Sequence, residues 1–470
     1  MKITFIGHAS ILIETGGITI LSDPWWSGPC FGGQWWNYPA PAVAAIEGRK
    51  LDFIYVSHGH HDHLHPGTLR LLPRDAVVLV SSTGDLAPSL RELGFEVREI
   101  GPDEEAQLSP NVRARLMPTL HGDTLLCVAD GKEVCVNLND ALHSTAHDMQ
   151  DMTIRKLRGF YPAIDYVFCG FGIASHFPNC YRIPGKDIAA TAGRRQRYFN
   201  DQWARIVAGL APRFGFPFAA DVVFLERDLL QTNEPTHNTE RPVEALRRNR
   251  TGFSGTAIDI APGFQIADGQ VTNDARRSPF SLARAQVELA SQIERANRYA
   301  QVQWSEVEEL GQHLSANVER CRGYFASFPH DYRCGIRLRN SPFGLVVTKR
   351  GQDLSVRAVR DFEAQTPDAQ LIFTTRAPYL RWSLTTPYGN EIIFVGSGGL
   401  FEYRSREQVP RAIHRELSVM IRQQNNPPVR SSPPRNVVVR TLKRWIKRAL
   451  GLETVDPYDL EFWTVYRASQ

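Results

Sequence analysis

The segment from residue 57 to residue 66 carries the side chains best suited to chemistry. It reads Ser-His-Gly-His-His-Asp-His-Leu-His-Pro, so five histidines and one aspartate lie within eight positions. Neutral imidazoles and a carboxylate are ligands that Zn prefers, and Fe and Mn accept the same set. The other interpretation is a solvated surface loop, but such histidines add no core packing and repel one another when protonated. The segment therefore predicts a metal site.

The elements beside this segment indicate how its side chains are held. A buried strand is predicted at Phe53 to Val56, and a helical pattern follows at Leu69 to Leu72. Short β-rich runs at Ile3 to Phe5, Ile11 to Glu14 and Ile18 to Leu21 predict a meander of antiparallel strands. A tight loop after a buried strand directs several ligands towards one point. We therefore expect the metal site at the end of a strand.

The spacing His58-x-His60-x-Asp62-His63 resembles the H-x-H-x-D-H signature of the metallo-β-lactamase superfamily. In that family the first two histidines bind one metal ion, and the aspartate and the next histidine bind a second. The resemblance implies that His58 and His60 hold one ion and that Asp62 and His63 hold the other. Two divalent ions, Zn or Fe and also Mn, are the implied cofactors.

Two further segments extend this resemblance over about residues 1–240. Gly7-His8-Ala9 and Leu21-Ser22-Asp23-Pro24 are similar to the first strands of such proteins. The extended resemblance implies an α/β (α+β) fold, an αββα sandwich. In this sandwich two β-sheets lie back to back with helices outside, and the metal site lies at one rim.

The resemblance also implies ligands from later parts of the chain. A third histidine for the first ion belongs at the start of a hairpin, and His121 is the only histidine between positions 65 and 143. A bridging carboxylate follows the next strand, where the sequence has Asp140. The alternatives are that His121 is an ordinary loop residue and that Asp140 caps the following helix.

The last implied ligand is a histidine after the strand that follows a long helix. That strand reads Phe216-Pro217-Phe218-Ala219-Ala220-Asp221, without a histidine. We take His176 as the substitute, with His237 or Asp221 as alternatives. His176 also has the chemistry of a proton carrier that faces the substrate.

A dinuclear site of this kind supports hydrolysis of an ester, amide or phosphodiester, because it lowers the pKa of a bound water towards neutrality. Asp62 would orient the resulting nucleophile, and His176 would protonate the leaving group. We therefore predict a metal-dependent hydrolase acting on a small-molecule substrate. A metal-binding scaffold without catalysis is a further alternative if the last ligand is absent.

A finer resemblance supports a different chemistry. Asn137-Leu138-Asn139-Asp140, the segment from Ser175 to Tyr181 and Pro217-Phe218-Ala219 look most like the branch with the CMP-N-acetylneuraminate hydroxylases. That branch implies a non-haem diiron oxygenase of a sugar nucleotide or natural product. None of the seven cysteines is followed by a histidine at the second or third position, the pairing a Rieske cluster needs. An oxygenase would therefore need a separate electron donor.

An aromatic loop precedes the histidine segment. Its four tryptophans are Trp25, Trp26, Trp35 and Trp36. In this fold the loop lies near the metal site, so the rings are candidate substrate-binding residues that form a wall for an apolar or sugar-like molecule. Core packing is the other interpretation.

Composition limits the class of protein. The chain has 470 residues, of which 42% are hydrophobic and 22% charged, and this excludes disorder, collagen and coiled coil as the main architecture. No apolar run approaches the length of a membrane span. The start lacks the pattern of a secretory signal, and the scattered cysteines suit reduced thiols, so we expect a cytoplasmic protein. The net charge of +4 argues neither for nor against a nucleic-acid partner, and none is predicted.

The pattern along the chain predicts five parts. A homo-oligomer is a further expectation. Residues 1–265 form the catalytic domain and residues 266–308 a helical connector, with one long helix at Ser281 to Val307. Residues 309–422 form a smaller C-terminal α+β domain, either sterol-carrier-like or for dimerisation, with a strand at Ile392 to Val395 among others. A Pro-rich linker at 423–436 leads to a basic amphipathic tail at 437–470, which either docks on the body or makes a weak contact with a membrane surface.

Overall fold

The structure is a computed structural model of the chain, and it describes residues 1–119, 122–172, 175–249, 252–325, 331–404 and 410–423. His121, the predicted linker after residue 423 and the basic tail lie outside the described residues. Within the described ranges, no helix has both the length and the apolar character needed to cross a bilayer.

The described residues form strands and helices that alternate along the chain. The strands are β1 (Lys2–Gly7), β2 (Ser10–Thr15), β3 (Ile18–Ser22), β4 (Trp35–Asn37), β5 (Phe53–Tyr55), β6 (Val77–Ser81), β7 (Glu96–Ile100), β8 (Glu105–Ser109), β9 (Val112–Pro118), β10 (Thr124–Ala129), β11 (Val134–Asn137), β12 (Tyr166–Gly170), β13 (Tyr181–Arg182), β14 (Phe214–Phe218), β15 (Val222–Phe224), β16 (Thr256–Ala257), β17 (Gln265–Ala267), β18 (Gln270–Asn273), β19 (Tyr332–Leu338), β20 (Gly344–Arg350), β21 (Asp353–Val359), β22 (Leu371–Thr375) and β23 (Gly399–Tyr403). The helices are α1 (Pro66–Leu69), α2 (Leu86–Glu92), α3 (His147–Phe160), α4 (Ile188–Leu210), α5 (Arg227–Leu230), α6 (Asn233–His237), α7 (Pro242–Asn249), α8 (Leu282–Glu288), α9 (Ala290–Ala296), α10 (Trp304–Arg320), α11 (Arg322–Phe325), α12 (Phe362–Gln365), α13 (Ala377–Thr385), α14 (Glu391–Phe394) and α15 (Pro410–Met420).

Two large sheets form the sandwich. The first has the order β18-β17-β1-β2-β3-β5-β6-β7 and the second the order β16-β14-β12-β11-β10-β9-β8. Apolar side chains from both sheets share one buried cluster, which includes Ile13 of the first sheet and Leu126 of the second. Helices α1 and α2 cover the outer face of the first sheet, and α3 and α4 cover the second. The predicted αββα sandwich is confirmed.

Strand direction explains why the functional loops meet at one rim. Strands β3, β5 and β6 run parallel to one another in the first sheet. Strands β11, β12 and β14 run parallel in the second. The carboxyl ends of parallel strands lie at the same edge of a sheet, and ligand sites in such folds form at that edge. The loop at residues 57–66 follows β5 at this rim.

A third sheet, of order β13-β23-β22-β19-β20-β21, carries the additional C-terminal α/β region. Its edge strand β13 comes from the N-terminal half, and Tyr181 pairs with Phe401 in parallel register. Strand β17 begins at the predicted domain boundary of residue 265 and pairs with β1, so the first sheet extends to Asn273. The division into domains stays a prediction.

Two predictions of secondary structure were wrong. The run from Ser281 to Val307 is not one helix, because α8 ends at Glu288 and α9 ends at Ala296. The side chain of Asn297 donates to the carbonyl oxygen of Leu225 and fixes this turn against the sandwich.

The predicted strand at Ile392 to Val395 is helix α14 instead. In a strand, neighbouring side chains point to opposite faces. Ile392 and Ile393 are both buried in the same apolar cluster, which a helical turn allows. Tertiary packing therefore outweighs the β propensity of this segment.

Candidate metal centre

Four loops converge at the rim, and each contains a residue with a left-handed backbone that is not glycine. These residues are His8, Asp23, Asn139 and Ala219, with φ between 38° and 53°. The amide of Ala219 donates to the carbonyl oxygen of His8 at 2.8 Å, which joins the end of β14 to the end of β1. Such backbone conformations are costly and concentrate at functional sites. The convergence of these four loops therefore indicates a functional site at this rim.

The first ligand cluster combines two loops of the first sheet. His8, Asp62 and His63 are buried, and each offers one ligand atom within 4.8 Å of the other two. The Nε2 atom of His8 lies 3.0 Å from Oδ2 of Asp62, and Nε2 of His63 lies 3.4 Å from the same oxygen. Two imidazoles and a carboxylate at this spacing form a donor set for a divalent cation.

The second cluster joins the two sheets. His58, His63 and Asp140 meet the same 4.8 Å criterion, and Nε2 of His63 lies 3.4 Å from Oδ2 of Asp140. Nδ1 of His60 contacts Nε2 of His58 at 2.9 Å, so His60 lies at the edge of this cluster. His63 belongs to both clusters, which places the two donor sets side by side.

Several ligand atoms have no hydrogen-bond partner among the described residues. Nε2 of His63, Oδ1 of Asp62 and Oδ1 of Asp140 are buried and unpartnered. A buried carboxylate oxygen is costly unless a hydrogen bond or a cation compensates it. These atoms therefore fit metal ions, and the donor set of nitrogen and oxygen suits Zn, Fe or Mn.

Asp23 and Ser57 orient the two central imidazoles. Nδ1 of His63 donates to Oδ2 of Asp23 at 2.9 Å, which leaves Nε2 of His63 free for a ligand bond. Nδ1 of His58 contacts Oγ of Ser57 at 3.0 Å, and this hydroxyl donates to Asp23 at 2.8 Å. A carboxylate behind a ligating histidine fixes its tautomer and raises its basicity.

Burial and neighbouring charges set the protonation of the cluster. Burial and the nearby His63 and His60 hold the pKa of His58 well below its usual range, so His58 is a neutral ligand. Burial opposes ionisation of Asp62, but contacts with His63 and His8 outweigh it, and its pKa lies well below the usual range. The carboxylate of Asp62 is therefore ionised at neutral pH.

The structure brings together five of the predicted ligands. His58, His60, Asp62, His63 and Asp140 lie at one rim. His121 lies outside the described residues, and the carboxylate of Asp123, two residues later, is 3.9 Å from Nε2 of His58.

The sequence reasoning missed His8 as a ligand candidate. Gly7-His8-Ala9 was part of the resemblance, but its position beside Asp62 depends on sheet pairing. The remaining histidines of the loop have other contacts. His61 stacks on Phe31 at 5.3 Å, and His65 caps α1 by accepting from the amide of Thr68.

His176 does not contribute a free nitrogen to this centre, which corrects its prediction as a ligand and as a proton carrier. Its Nδ1 is bonded to the carbonyl oxygen of Phe394 at 2.9 Å, and its Nε2 to the hydroxyl of Tyr181 at 2.9 Å. Burial lowers its pKa to about 4. These partners belong to the third sheet and its neighbours, whose aromatic rings surround His176.

The alternatives for the last ligand have partners of their own. Nε2 of His237 donates to the carbonyl oxygen of Val222 at 2.8 Å. The carboxylate of Asp221 lies 3.2 Å from Arg277 and 3.7 Å from Arg241. Asp221 is therefore compensated by arginines and has no need of a cation.

A cavity opens from the metal-ligand clusters. Its wall includes His8, Asp62 and Asp140 on one side and Trp35, Phe177, Phe224 and His237 among its other members. Of the predicted tryptophans, only Trp35 lines this cavity. Trp25 is fully buried with its ring centroid 5.1 Å from that of His8, and Trp36 packs in a separate apolar cluster. Trp26 is half-buried, and its amide donates to Thr68.

Comparison with known proteins agrees with this geometry. Residues 2–125 match the family described as the β-lactamase superfamily domain. Over 250 residues the chain is 28% identical to a candidate Rieske 2Fe-2S iron–sulfur protein of Mycobacterium tuberculosis, and the match covers 50% of this chain and 46% of that protein.

Two shorter matches concern other activities. A cytidine monophosphate-N-acetylneuraminic acid hydroxylase of Asterias rubens is 41% identical over 73 residues, which cover 15% of this chain and 11% of that protein. A metal-dependent hydrolase of Anaeromyxobacter sp. is 34% identical over 121 residues, which cover 24% of this chain and 38% of that protein. The matches span less than half the length of each of these curated relatives.

Among solved structures, a diiron β-hydroxylase from Streptomyces venezuelae is 20% identical with a TM-score of 0.39, covering 56% of this chain and 53% of that chain. A metallo hydrolase from Ignicoccus hospitalis is 16% identical with a TM-score of 0.39, covering 56% of this chain and 97% of that chain. Residues 2–125 match the family and carry its His/Asp signature at the rim of an αββα sandwich. Residues 2–125 are therefore a β-lactamase superfamily domain.

Proposed function

We propose that the chain is a dinuclear metal-dependent hydrolase of an ester, amide or phosphodiester bond. The observation that carries the proposal is the pair of adjacent ligand clusters at this rim, which meet at Nε2 of His63. Oδ2 of Asp62 and Oδ2 of Asp140 each lie 3.4 Å from Nε2 of His63, and the Oδ1 atom of each carboxylate lacks a hydrogen-bond partner among the described residues. Two adjacent donor sets suit two cations better than one.

Divalent ions held by these clusters would supply Lewis acidity and a water of lowered pKa. His58, His63 and Asp140 would hold one ion, and His8 and Asp62 would hold the other, because the single lone pair on Nε2 of His63 binds only one ion. Asp62 also lines the cavity and is ionised, so we assign to its free Oδ1 the orientation of the attacking water. The rigid sheet ends keep these groups in place, which favours catalysis through positioning.

A non-haem diiron oxygenase is the second candidate. The matches to a hydroxylase and to an iron–sulfur protein favour it, and the donor set suits Fe as well as Zn. No cysteine in these 470 residues has a histidine two or three positions later. This candidate therefore includes a separate electron donor as a partner. A metal-binding scaffold without catalysis is the third candidate.

Elemental analysis of the purified protein, expressed with both Zn and Fe in the medium, tests the proposal. Two zinc per chain, no colour and metal-dependent hydrolysis of an ester or amide panel are expected. Two iron per chain with near-ultraviolet absorption in air would favour the oxygenase. Less than one metal ion per chain would favour the third candidate, a metal-binding scaffold without catalysis. An Asp140→Ala variant, which removes a ligand, should lose metal and hydrolysis together.

The remaining parts of the proposal concern the substrate, the location and the assembly of the enzyme. We propose a small-molecule substrate, because His8, Asp62 and Asp140 of the metal-ligand clusters line a cavity. The seven cysteines are free and buried, which is in keeping with a cytoplasmic location. A homo-oligomer and a weak membrane contact by the tail stay proposals.

A further inference from the structure

The third sheet ends in a long edge strand. Strand β21 is last in the sheet order, and no strand among the described residues pairs with its outer side. It has seven residues, whereas the strands at the other sheet edges have two to five. All seven pair with β20 in one unbroken register, without a bulge or a proline. Such an edge exposes a row of unpaired peptide groups that can bind a further strand.

The turn before β21 decides which of its peptide groups face outwards. Arg350 pairs with Asp353 across a turn of two residues, of which the first is Gly351 with φ of 57°. Glycine at this place is typical of a type II′ hairpin, in which the amide of the fourth residue donates to the carbonyl oxygen of the first. The amide of Asp353 therefore points to β20. Because the direction alternates along a strand, three residues direct their N–H and C=O groups away from β20: Leu354, Val356 and Ala358.

The side chains of β21 divide between the two faces of the sheet. Three half-buried apolar side chains pack against the apolar cluster that the third sheet shares with its helices: Leu354, Val356 and Ala358. Three side chains on the opposite face are exposed: Asp353, Ser355 and Arg357. A strand that pairs with this edge therefore covers apolar surface on one face and meets charged side chains on the other.

Asp353 and Arg357 carry opposite charges on the exposed face. Within the part of the chain that the structure describes, neither residue forms an ion pair, and Arg357 donates to Oε1 of Gln365, a neutral acceptor, at 2.8 Å. Charged side chains on an edge strand usually keep other strands away. Here the two charges are complementary, so a second copy of the strand in the antiparallel direction can place each charge opposite its complement.

One register of this pairing suits both the charges and the peptide groups. When two copies are antiparallel about Ser355, Asp353 of each copy lies opposite Arg357 of the other. The outward peptide groups of Leu354 then face those of Val356, as in a hydrogen-bonded pair. The charged pairs fall at the positions between, where side chains come closest and opposite charges stabilise the pairing. A centre at Leu354 or Val356 would leave no charge opposite its complement.

We propose that two copies of this chain associate through β21, antiparallel and centred on Ser355, so that their third sheets form one continuous sheet. The contact is symmetric and closes both open edges. The pairing of one strand from each copy is smaller than the standard interface of about 1,200–2,000 Å², so the expected dissociation constant is weak, about 10–100 μM. This inference does not depend on the proposed hydrolase activity.

Sedimentation velocity of the metal-loaded full chain, from about 1 to 200 μM, tests the inference over the expected range. The parent protein should shift from monomer to dimer. Asp353→Arg and Arg357→Asp each place like charges opposite one another at two positions, and each should weaken the dimer about 10-fold. The double variant, Asp353→Arg with Arg357→Asp, restores opposite charges and should associate like the parent protein.

Two further variants separate pairing of the edge from damage to the fold. Val356→Pro removes an outward amide that β20 does not use, so the sheet should persist while the dimer is lost. Glu96→Arg is the control, because it reverses an exposed charge on β7, the edge strand of the first sheet. It should leave the dimer unchanged. Circular dichroism and metal content of each variant should match the parent protein.

Three results would overturn the inference. The first is a monomer up to the highest concentration, which is the outcome if another part of the chain or a different protein covers the edge. The second is a dimer that survives Val356→Pro, which would place the contact elsewhere. The third is a double variant that associates no better than the single variants. Metal-dependent hydrolysis by a protein that stays monomeric would overturn this inference alone, and a dimer without hydrolysis would overturn the hydrolase alone.

Discussion

His63 is the residue on which the metal centre depends. It is fully buried, its Nδ1 donates to Asp23, and its Nε2 faces both Asp62 and Asp140. Burial opposes protonation of His63, but three carboxylates around it outweigh burial and raise its pKa well above the usual range. A pocket that binds a proton this tightly at Nε2 has the field needed to bind a cation there.

Asp23 positions His63 without touching a ligand site itself. Asp23→Asn removes the charged acceptor behind the imidazole, so we expect a loss of about 10- to 100-fold in metal affinity. Competition with a chromophoric chelator measures it. Asp165→Asn is the control, because that carboxylate accepts from the amide of Val134 at the amino end of β12, opposite the site. Equal affinities for Asp23→Asn and the parent protein would rule out this positioning role.

The sequence predicted His176 as a metal ligand, whereas the structure places His8 in a ligand cluster instead. Variants of these two histidines can be compared directly. His8→Ala removes a member of the first ligand cluster, so metal content should fall from about two towards one ion per chain. His176→Ala should leave the content unchanged, since both of its ring nitrogens are bonded elsewhere. Elemental analysis of the folded fraction decides between them. The opposite pattern would reinstate His176 as the ligand.

At the scale of elements, a short turn from Phe31 to Gly33 supports the metal loop. The ring of Phe31 stacks on His61 at 5.3 Å and meets Trp35 edge-on at 4.9 Å. Helix α14 and the residues after it cover this turn closely, because a Cβ placed on Gly32 would meet Ile392 of α14 and one placed on Gly396 would lie 2.5 Å from Cβ of Phe31. The C-terminal region thus buttresses the loop that carries the ligands.

Gly396→Ala should disturb this contact. The added methyl has no room, so we expect destabilisation of about 1–3 kcal/mol, the usual cost of overpacking. Urea denaturation with a constant slope measures the change in the free energy of unfolding. Gly323→Ala is the matched control, because a Cβ there meets no atom within 4 Å. A Gly396→Ala protein as stable as the control would contradict the close packing of α14.

At the scale of the whole molecule, one apolar cluster crosses from the sandwich to the third sheet. Trp25 and Phe177 from the N-terminal half share it with Leu371 and Phe401 from the C-terminal region. Polar contacts add to it. The buried carboxylate of Glu226 accepts from Arg376 at 2.8 Å and from the side-chain amide of Gln34 at 2.9 Å. A core shared in this way couples the unfolding of its two sides.

We therefore expect a single calorimetric transition for the protein, with metal release at the same temperature. A fragment of residues 1–308 would expose the N-terminal side of the shared cluster, including Phe31 and Trp35, and should not unfold cooperatively. Calorimetry and circular dichroism of the two proteins measure this. Two separate transitions, with a folded fragment that retains metal, would show independent domains.

The sequence by itself determined the metal loop and the layered fold. His58, Asp62 and His63 lie within six positions, so the local geometry of one loop after a buried strand is enough to bring them together. The alternation of short strands and helical patterns in the N-terminal half likewise reflects local periodicity. Asp140 could be predicted as a ligand because it follows a strand that the sequence pattern shows.

Only the tertiary structure decided which distant residues complete the site. His8 and Asp23 reach the cluster through the pairing of β1, β2 and β3, and Nδ1 of His176 is bonded instead to the carbonyl oxygen of Phe394, 218 positions later. Likewise, α14 is helical because packing on the Phe31 turn outweighs its β propensity. The physical reason is that such contacts depend on the order and register of strands that are distant in the sequence. No local sequence pattern therefore predicts them.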